Sequence, residues 1–143
     1  MRQRLTVEAV VLDPRRGVLL IKQGRSRHEW ELPGGKVKRS EFLLDALVRE
    51  TLEETSINVK PDAILGVFHI GEQAVYDFVF TCHPTRKSDL PFPNPPEIAE
   101  CDFFPVNDLP SPMRPFTRRC IQDAVAGRSQ SLPISITPGQ WLG

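Results

Sequence analysis

The chain has 143 residues, of which 40% are hydrophobic and 25% are charged, and its 18 lysine and arginine residues balance 18 aspartate and glutamate residues. This length and composition predict one globular domain over residues 1–143, with a core of ordinary size. The zero net charge gives no general attraction to nucleic acid or to an anionic membrane, and no apolar run approaches the roughly 20 residues of a membrane-spanning helix. We therefore expect neither a nucleic-acid partner nor a membrane partner.

The three cysteines, Cys82, Cys101 and Cys120, are odd in number and far apart, and the sequence contains no CxxC pair. This spacing argues against a zinc site and against a disulfide framework. The first residues are charged and run directly into an alternating segment, without the long apolar region of a signal peptide. Together these features predict reduced thiols in a cytoplasmic protein.

The N-terminal part of the chain predicts a pair of antiparallel strands. Residues 5–12 are rich in valine, residues 13–17 contain the proline and glycine of a turn, and residues 18–22 form the expected partner strand. A polar loop is expected to follow over residues 23–29.

Two arginines of this loop, Arg25 and Arg27, have two alternative interpretations. Each is either solvated or reaches a substrate phosphate, because a guanidinium group matches phosphate oxygens with two parallel donors. Trp30 and Leu32 are two residues apart, so in an extended segment their side chains face the same side. They belong either to the core or to the wall of a substrate pocket.

The segment from residue 34 to residue 57 predicts a helix that carries an acidic cluster. Glu50, Glu53 and Glu54 stand at positions i, i+3 and i+4, so a helix places all three carboxylates on one face. Their mutual repulsion costs stability unless a cation lies among them, and carboxylate oxygens are ligands that Mg²⁺ and Mn²⁺ prefer. The alternative is an acidic face that is simply solvated.

The residues around the cluster favour a cleft over a free surface. The first half of the helix is apolar in almost every direction, which is typical of a buried helix. A Pro-Gly-Gly turn precedes it, and such a turn lets the backbone approach a ligand and offers carbonyl oxygens. We expect Ser40 to cap the helix at its N-terminus. The apolar residues are Phe42, Leu43, Leu44, Ala46, Leu47 and Val48.

The second half of the chain predicts three strands and a helix. The strands are expected at 64–70, 74–82 and 100–105, after a turn at Pro61 and Asp62, and the helix is expected at 116–126. Residues 84–96 contain five prolines, a composition that predicts a loop. No structure is assigned to residues 134–142.

The acidic segment resembles the signature of the Nudix hydrolase family, G-x5-E-x7-R-E-U-x-E-E-x-G-U, in which U is a bulky aliphatic residue. Ile57 fits the last position, whereas Thr51 replaces a bulky residue and Ser56 replaces the glycine that ends the helix. A glycine is favoured there because it accepts a left-handed backbone at little cost. The six fixed identities at the right spacing are Gly35, Glu41, Arg49, Glu50, Glu53 and Glu54.

The resemblance implies a fold and an activity. The fold is an α/β/α sandwich, in which a mixed sheet holds a buried catalytic helix and a second, C-terminal helix, and the order of the predicted elements agrees with it. The activity is hydrolysis of a phosphoanhydride bond in a nucleoside diphosphate linked to another group, by attack of water that Mg²⁺ or Mn²⁺ activates. The implied metal ligands are the carbonyl of Gly34 with Glu50, Glu53 and Glu54.

The resemblance also assigns roles to neighbouring residues. Arg49 would hold a carboxylate in place, and Glu41 would support the helix structurally. Glu53 would bind a further metal ion or orient the attacking water. The general base stays open between Glu53 and two acids that follow the proline-rich loop, Glu97 and Glu100, of which we favour Glu97.

Two other classes of protein compete with the hydrolase. A nucleotide-sensing Nudix module would bind without cleaving, but such a module need not keep an acidic cluster that repels itself. An isoprenoid-diphosphate isomerase of the same fold would need a catalytic cysteine and a histidine-rich metal site, and the chain has three scattered histidines. The expected partner is a nucleotide-like small molecule, the expected assembly is a monomer or a homodimer, and the exact nucleotide stays open.

Overall fold

The structure is a computed structural model that describes residues 2–25 and 28–136. Within these ranges the chain forms eight strands and two α-helices, with a single 3-10 turn at Gly71–Gln73. The strands are β1 (Arg4–Asp13), β2 (Gly17–Gln23), β3 (Trp30–Glu31), β4 (Gly34–Lys36), β5 (Val59–Ile70), β6 (Val75–Pro84), β7 (Ile98–Phe104) and β8 (Ile134–Ile136). The helices are α1 (Leu43–Thr55) and α2 (Pro115–Val125).

Strand β1 joins the two parts of a mixed sheet. It pairs in parallel with β6 and antiparallel with β4, and beyond β6 the sheet continues through antiparallel β5 to parallel β8. At its C-terminal end β1 turns into antiparallel β2, with Leu12 opposite Val18, as the sequence predicts. Strand β2 also pairs antiparallel with β3 and β7.

The two helices cover opposite faces of the sheet, each over its own hydrophobic core. Val10 of β1 belongs to the core under α2, whereas Ala9 belongs to the core under α1. Successive residues of a strand point to opposite faces, so one strand supplies both cores. The α2 core contains Phe116 and Ile121, and the α1 core contains Leu47. The predicted α/β/α sandwich is confirmed.

Helix α1 is buried on one side only, not all round. Ala46, Leu47, Thr51 and Thr55 are its buried residues, whereas Leu44 is 47% exposed and Leu52 is 46% exposed. The sheet covers only the face turned toward it. The apolar composition of the first turns therefore overstates how much of the helix is enclosed.

The predicted N-cap, Ser40, is wrong. An N-cap residue needs an extended backbone, whereas Ser40 has a φ of 65° and lies in the left-handed region. Phe42 occupies the cap position with a φ of −73° and a ψ of 147°, and no side chain caps the helix. The chain thus makes one more turn before α1 begins.

Two further expectations are corrected in the second half of the chain. Pro61 lies inside β5, opposite Cys82, where the predicted turn does not occur. The register shifts between Pro61 and Ala63, and such an irregularity is where a strand accepts a proline. Part of the unassigned tail forms β8 beside Phe68–Ile70. The proline-rich residues 85–97 form neither helix nor strand.

Helices α1 and α2 have 13 and 11 residues. Across the part of the chain that the structure describes, no helix combines the length and the apolar character that crossing a membrane requires.

Candidate active site

Two adjacent glycines of β4 bring the sheet against the acidic face of α1. The N–H of Gly34 donates to Oε1 of Glu54 at 2.8 Å. A Cβ atom at Gly35 would lie 2.5 Å from the carboxyl carbon of Glu50, and one at Gly34 would lie 2.1 Å from the Val7 carbonyl oxygen of β1. The backbone of β1 leaves no room for a side chain at Gly34, whereas a side chain at Gly35 would displace the Glu50 carboxylate.

Arg49 connects the acidic residues of this region to one another. Its Nε donates to Oε2 of Glu41 at 2.8 Å, and its Nη1 lies 3.0 Å from Oε1 of Glu50 and 3.3 Å from Oε2 of Glu53. Its Nη2 donates to the carbonyl oxygen of Lys36 at 3.2 Å and to Oε1 of Glu41 at 3.0 Å. One guanidinium group therefore orients three carboxylates and the end of β4.

The acidic residues differ sharply in their pKa values. The hydrogen bonds from Arg49 lower the pKa of Glu41 to about 2. Burial, together with the charges of Glu50, Glu31 and Glu97, raises the pKa of Glu54 to about 8, even though the N–H of Gly34 works against this shift. Burial also raises the pKa of Glu50. The buried carboxylates of α1 are thus held in a site that disfavours negative charge.

The donors of this region match the chemistry of a hard divalent cation. Over residues 2–25 and 28–136, no group of three His, Cys, Asp or Glu side chains stands ready to hold a metal ion. Glu50 and Glu53 face Arg49 instead, and Glu54 faces the N–H of Gly34. A cation among these carboxylates would stabilise their charged forms against the burial and the neighbouring negative charges that raise the pKa values of Glu50 and Glu54, so the residues present fit a metal ion.

The loop after β2 lies against the end of the proline-rich loop. The N–H of Gly24 donates to the carbonyl oxygen of Glu97 at 2.8 Å, and a Cβ atom at Gly24 would lie 2.2 Å from the Pro96 carbonyl oxygen. This contact places exposed Arg25 beside exposed Glu97, and Glu97 is close enough to Glu54 to raise its pKa. Arg27 lies outside the described residues.

Glu100 contacts Lys22, and Trp30 contacts Phe104. The carboxylate of Glu100 is exposed and lies 3.8 Å from Nζ of Lys22. Trp30 is 8% exposed and packs edge-on against Phe104, with 4.8 Å between the ring centroids. Of the two alternatives for Trp30, the structure shows the core position, and a contact between Trp30 and substrate stays a prediction. Leu32 is 3% exposed and also lines the cavity described next.

A cavity of about 220 Å³ opens beside the glycine pair, and sequence reasoning missed the acids that line it. Asp77 of β6 is 2% exposed, and Glu8 of β1 and Glu31 of β3 line the same cavity. Thr6 donates to Oδ1 of Asp77 at 2.7 Å. Burial, followed by the neighbouring Asp77, raises the pKa of Glu8 well above its usual range.

A signal for this cavity was present in the sequence. Asp77 stands between Val75 and Val79, which are both core residues, so an acid shares a buried face with valines. An acid at such a position is rarely buried without a partner. The side chain of Glu8 hydrogen-bonds to Asp77, but Glu8 belongs to β1, far earlier in the chain, so no local sequence pattern reveals the pair.

The profile of the NUDIX domain matches residues 2–124. The chain belongs to the Nudix family. A human protein named 8-oxo-dGDP phosphatase NUDT18 is 32% identical over 117 residues, which are 76% of this chain and 34% of the human protein. The Nudix chain therefore spans about a third of the length of that relative.

Solved structures of Nudix proteins have the same fold. The crystal structure of a Nudix hydrolase from Nitrosomonas europaea superposes with a TM-score of 0.81 at 22% identity, and the match covers 96% of this chain and 80% of that one. The crystal structure of a MutT Nudix hydrolase from Burkholderia pseudomallei gives a TM-score of 0.70 at 28% identity, and the match covers 85% of this chain and 98% of that one.

Proposed function

We propose that this Nudix chain hydrolyses a phosphoanhydride bond in a nucleoside diphosphate linked to another group. The observation that carries the proposal is the acidic face of α1, where Glu50, Glu53 and Glu54 lie around Arg49 and Gly34. A merely solvated face would leave all three carboxylates in water, whereas Glu50 and Glu54 are partly buried and have raised pKa values.

The names of the relatives narrow the first substrates to test. The human relative is named for 8-oxo-dGDP, and the Burkholderia structure is described as a MutT Nudix hydrolase. We therefore infer that the substrate is a nucleoside di- or triphosphate or a related nucleotide. A single domain over residues 1–143, a monomer or homodimer, a cytoplasmic location and the lack of a nucleic-acid partner stay predictions.

The carbonyl of Gly34 and the carboxylates of Glu50, Glu53 and Glu54 would hold the divalent cation, Mg²⁺ or Mn²⁺. When bound, the cation neutralises phosphate charge and makes a coordinated water more acidic. Arg49 fixes the directions of Glu50 and Glu53, and its bonds to Glu41 fix Arg49 itself. Charge in the site is therefore positioned before substrate arrives, which lowers the cost of reorganisation.

Two residues compete for the role of general base. The side chain of Glu53 is 53% exposed, and its contact with Arg49, at 3.3 Å, is longer than those of Glu41 and Glu50. It is thus the most accessible of the carboxylates around Arg49 and the first choice to accept a proton from water. Glu97 is the second choice, because its charge acts on Glu54 from the opposite loop.

The first experiment is a substrate screen with and without metal. Nucleoside diphosphates and triphosphates, their 8-oxoguanine forms, dinucleoside polyphosphates and sugar nucleotides are incubated with the protein, and released phosphate or pyrophosphate is measured. Turnover should vanish in excess chelator and return with Mg²⁺ or Mn²⁺. Full activity without metal would refute the metal site, and tight binding without any turnover would favour a nucleotide sensor.

A substitution in the acidic cluster tests the role of Glu53. Glu53→Gln keeps the size of the side chain but removes its charge, so it should lower kcat by about a thousandfold, or roughly 4 kcal/mol, with a smaller effect on substrate affinity. Asp45→Asn is the matched control, since Asp45 is an exposed acid in the first turn of α1. Similar small effects from both variants would make Glu53 a solvated acid.

A further inference from the structure

A second cavity, of about 460 Å³, lies where the N-terminal end of β1 meets the end of β4, and half of its lining residues are basic. The basic residues come from residues 2–4 and residues 36–39, which strand pairing brings together because Thr6 lies opposite Lys36. The basic residues that line the cavity are Arg2, Arg4, Lys36, Lys38 and Arg39.

The basic side chains of this cationic pocket form no ion pairs within the described residues. None of its five basic side chains forms an ion pair with a carboxylate there, and Arg4 donates to the carbonyl oxygen of Gln73 at 2.9 Å. Glu41 is the acid among the lining residues, and Arg49 already neutralises it. Five like charges around one cavity repel one another, and a bound anion would offset that repulsion.

The loop that carries two of the cations is fixed by hydrogen bonds. The N–H of Glu41 donates to the carbonyl oxygen of Lys38 at 3.0 Å, and the N–H of Lys38 donates to Oε1 of Glu41 at 3.0 Å. The N–H of Val37 donates to the carbonyl oxygen of Leu5 at 3.0 Å, which ties the loop to β1. Lys38 and Arg39 are therefore presented from a defined backbone, so the ordering cost of binding falls on their exposed side chains and not on the loop.

The cationic pocket adjoins the candidate active site. Arg49, which holds Glu50 and Glu53, also bonds to the carbonyl oxygen of Lys36 and to Glu41, and both of these residues line the pocket. Arg4 lines this pocket and also the acidic cavity beside the glycine pair. A ligand anchored at the acidic face of α1 can thus extend into the pocket.

We propose that the cationic pocket binds a linear polyphosphate chain, the part of the substrate that extends beyond the cleaved linkage. The proposal deepens the proposed hydrolase function and, for the substrate role, rests on it. Phosphate oxygens accept charge-assisted hydrogen bonds from lysine and arginine, and the cavity has the size of a small-molecule site. A lone nucleoside diphosphate would leave the pocket empty, so substrates with longer phosphate chains are favoured.

Binding of inorganic tripolyphosphate tests the pocket without any turnover. The full chain is titrated by calorimetry in excess chelator, at low and at high salt. We expect binding that weakens with salt, and about tenfold weaker binding in the double variant Lys38→Gln/Arg39→Gln. Arg86→Gln/Lys87→Gln removes two adjacent exposed cations outside the pocket and should bind as the parent does.

Two results would overturn the proposal: unchanged affinity in Lys38→Gln/Arg39→Gln, or an equal loss in both double variants. Kinetics then test the substrate role, since Lys38→Gln/Arg39→Gln should raise KM for a dinucleoside tetraphosphate more than for a nucleoside diphosphate. Equal changes in KM would refute that role. If tripolyphosphate binds through the pocket but no nucleotide is hydrolysed, the hydrolase proposal fails and the polyphosphate site stands.

Discussion

Ser56 ends helix α1 in a conformation that suits glycine better than serine. Its φ is 64° and its ψ is 12°, and its N–H donates to the carbonyl oxygen of Leu52 at 2.9 Å. The family signature has glycine here, and the structure confirms that the position requires the left-handed region. A residue with a Cβ atom pays roughly 1 kcal/mol for this backbone.

Replacing Ser56 by glycine should therefore stabilise the protein. We expect Ser56→Gly to raise the free energy of unfolding by up to about 1 kcal/mol, less the small loss of the exposed contact from its Oγ to the Phe92 carbonyl oxygen. Denaturant unfolding measures the change. Ser135→Gly, at an exposed position of β8, is the control and should destabilise. A loss of stability in Ser56→Gly would contradict the strain argument.

Glu8 should make stability depend on pH in a predictable direction. Burial and Asp77 raise its pKa in the folded state above the ordinary value of 4.5. The folded state then holds a proton that the unfolded state has lost, so the stabilising contribution is complete below pH 4.5 and declines as the pH rises toward the folded-state pKa.

Glu8→Gln removes this titration and keeps a donor for Asp77. The melting temperature of the variant relative to the parent should therefore rise between pH 4.5 and pH 8, measured by thermal unfolding in matched buffers. Glu72→Gln, at an exposed position of the 3-10 turn, is the control and should give a flat difference. A flat difference for Glu8→Gln as well would show that its carboxyl does not titrate abnormally.

At the scale of elements, we expect substitutions at the two glycines of β4 to differ in effect: at Gly34 mainly on stability, and at Gly35 mainly on activity. Gly34→Ala places a Cβ atom 2.1 Å from a backbone oxygen of β1, which cannot move without opening the sheet, so it should cost about 2 kcal/mol or more. Gly35→Ala meets only the Glu50 side chain, at 2.5 Å, which can rotate away. We expect Gly35→Ala to fold but to lose activity, as unfolding and kcat measurements on both variants would show. Equal stability losses would contradict this division.

The elements that depend on local sequence patterns were predicted well, whereas those that depend on contacts between residues far apart in the chain were not. Helix α1 and its end at Ser56 follow from periodicity and the signature, both of which lie within one segment. Pro61 and Asp62 predict a turn, but an irregular register with β6 accommodates the proline, which has no N–H to donate, inside β5. Strand β8 is three residues long, and it forms because its residues pair with the edge of β5.

At the scale of the whole molecule, the candidate site also has a part that depends on local sequence and parts that depend on contacts between distant residues. The acidic face of α1 could be predicted because residues three and four apart on a helix are neighbours. The acidic cavity needs Glu8 beside Asp77, and the cationic pocket needs residues 2–4 beside residues 36–39, which only the sheet register provides. A net charge of zero conceals both features, because it sums opposite charges that the fold separates.

The position of β1 in the sheet has a consequence for synthesis on the ribosome. It is made before β6, with which it pairs in parallel, and their side chains meet across 71 residues at Thr6 and Asp77. Until β6 has emerged, the long edge of β1 has no partner there, and such an edge invites pairing with other chains. That edge therefore stays open to such pairing until β6, which ends at Pro84, has left the exit tunnel.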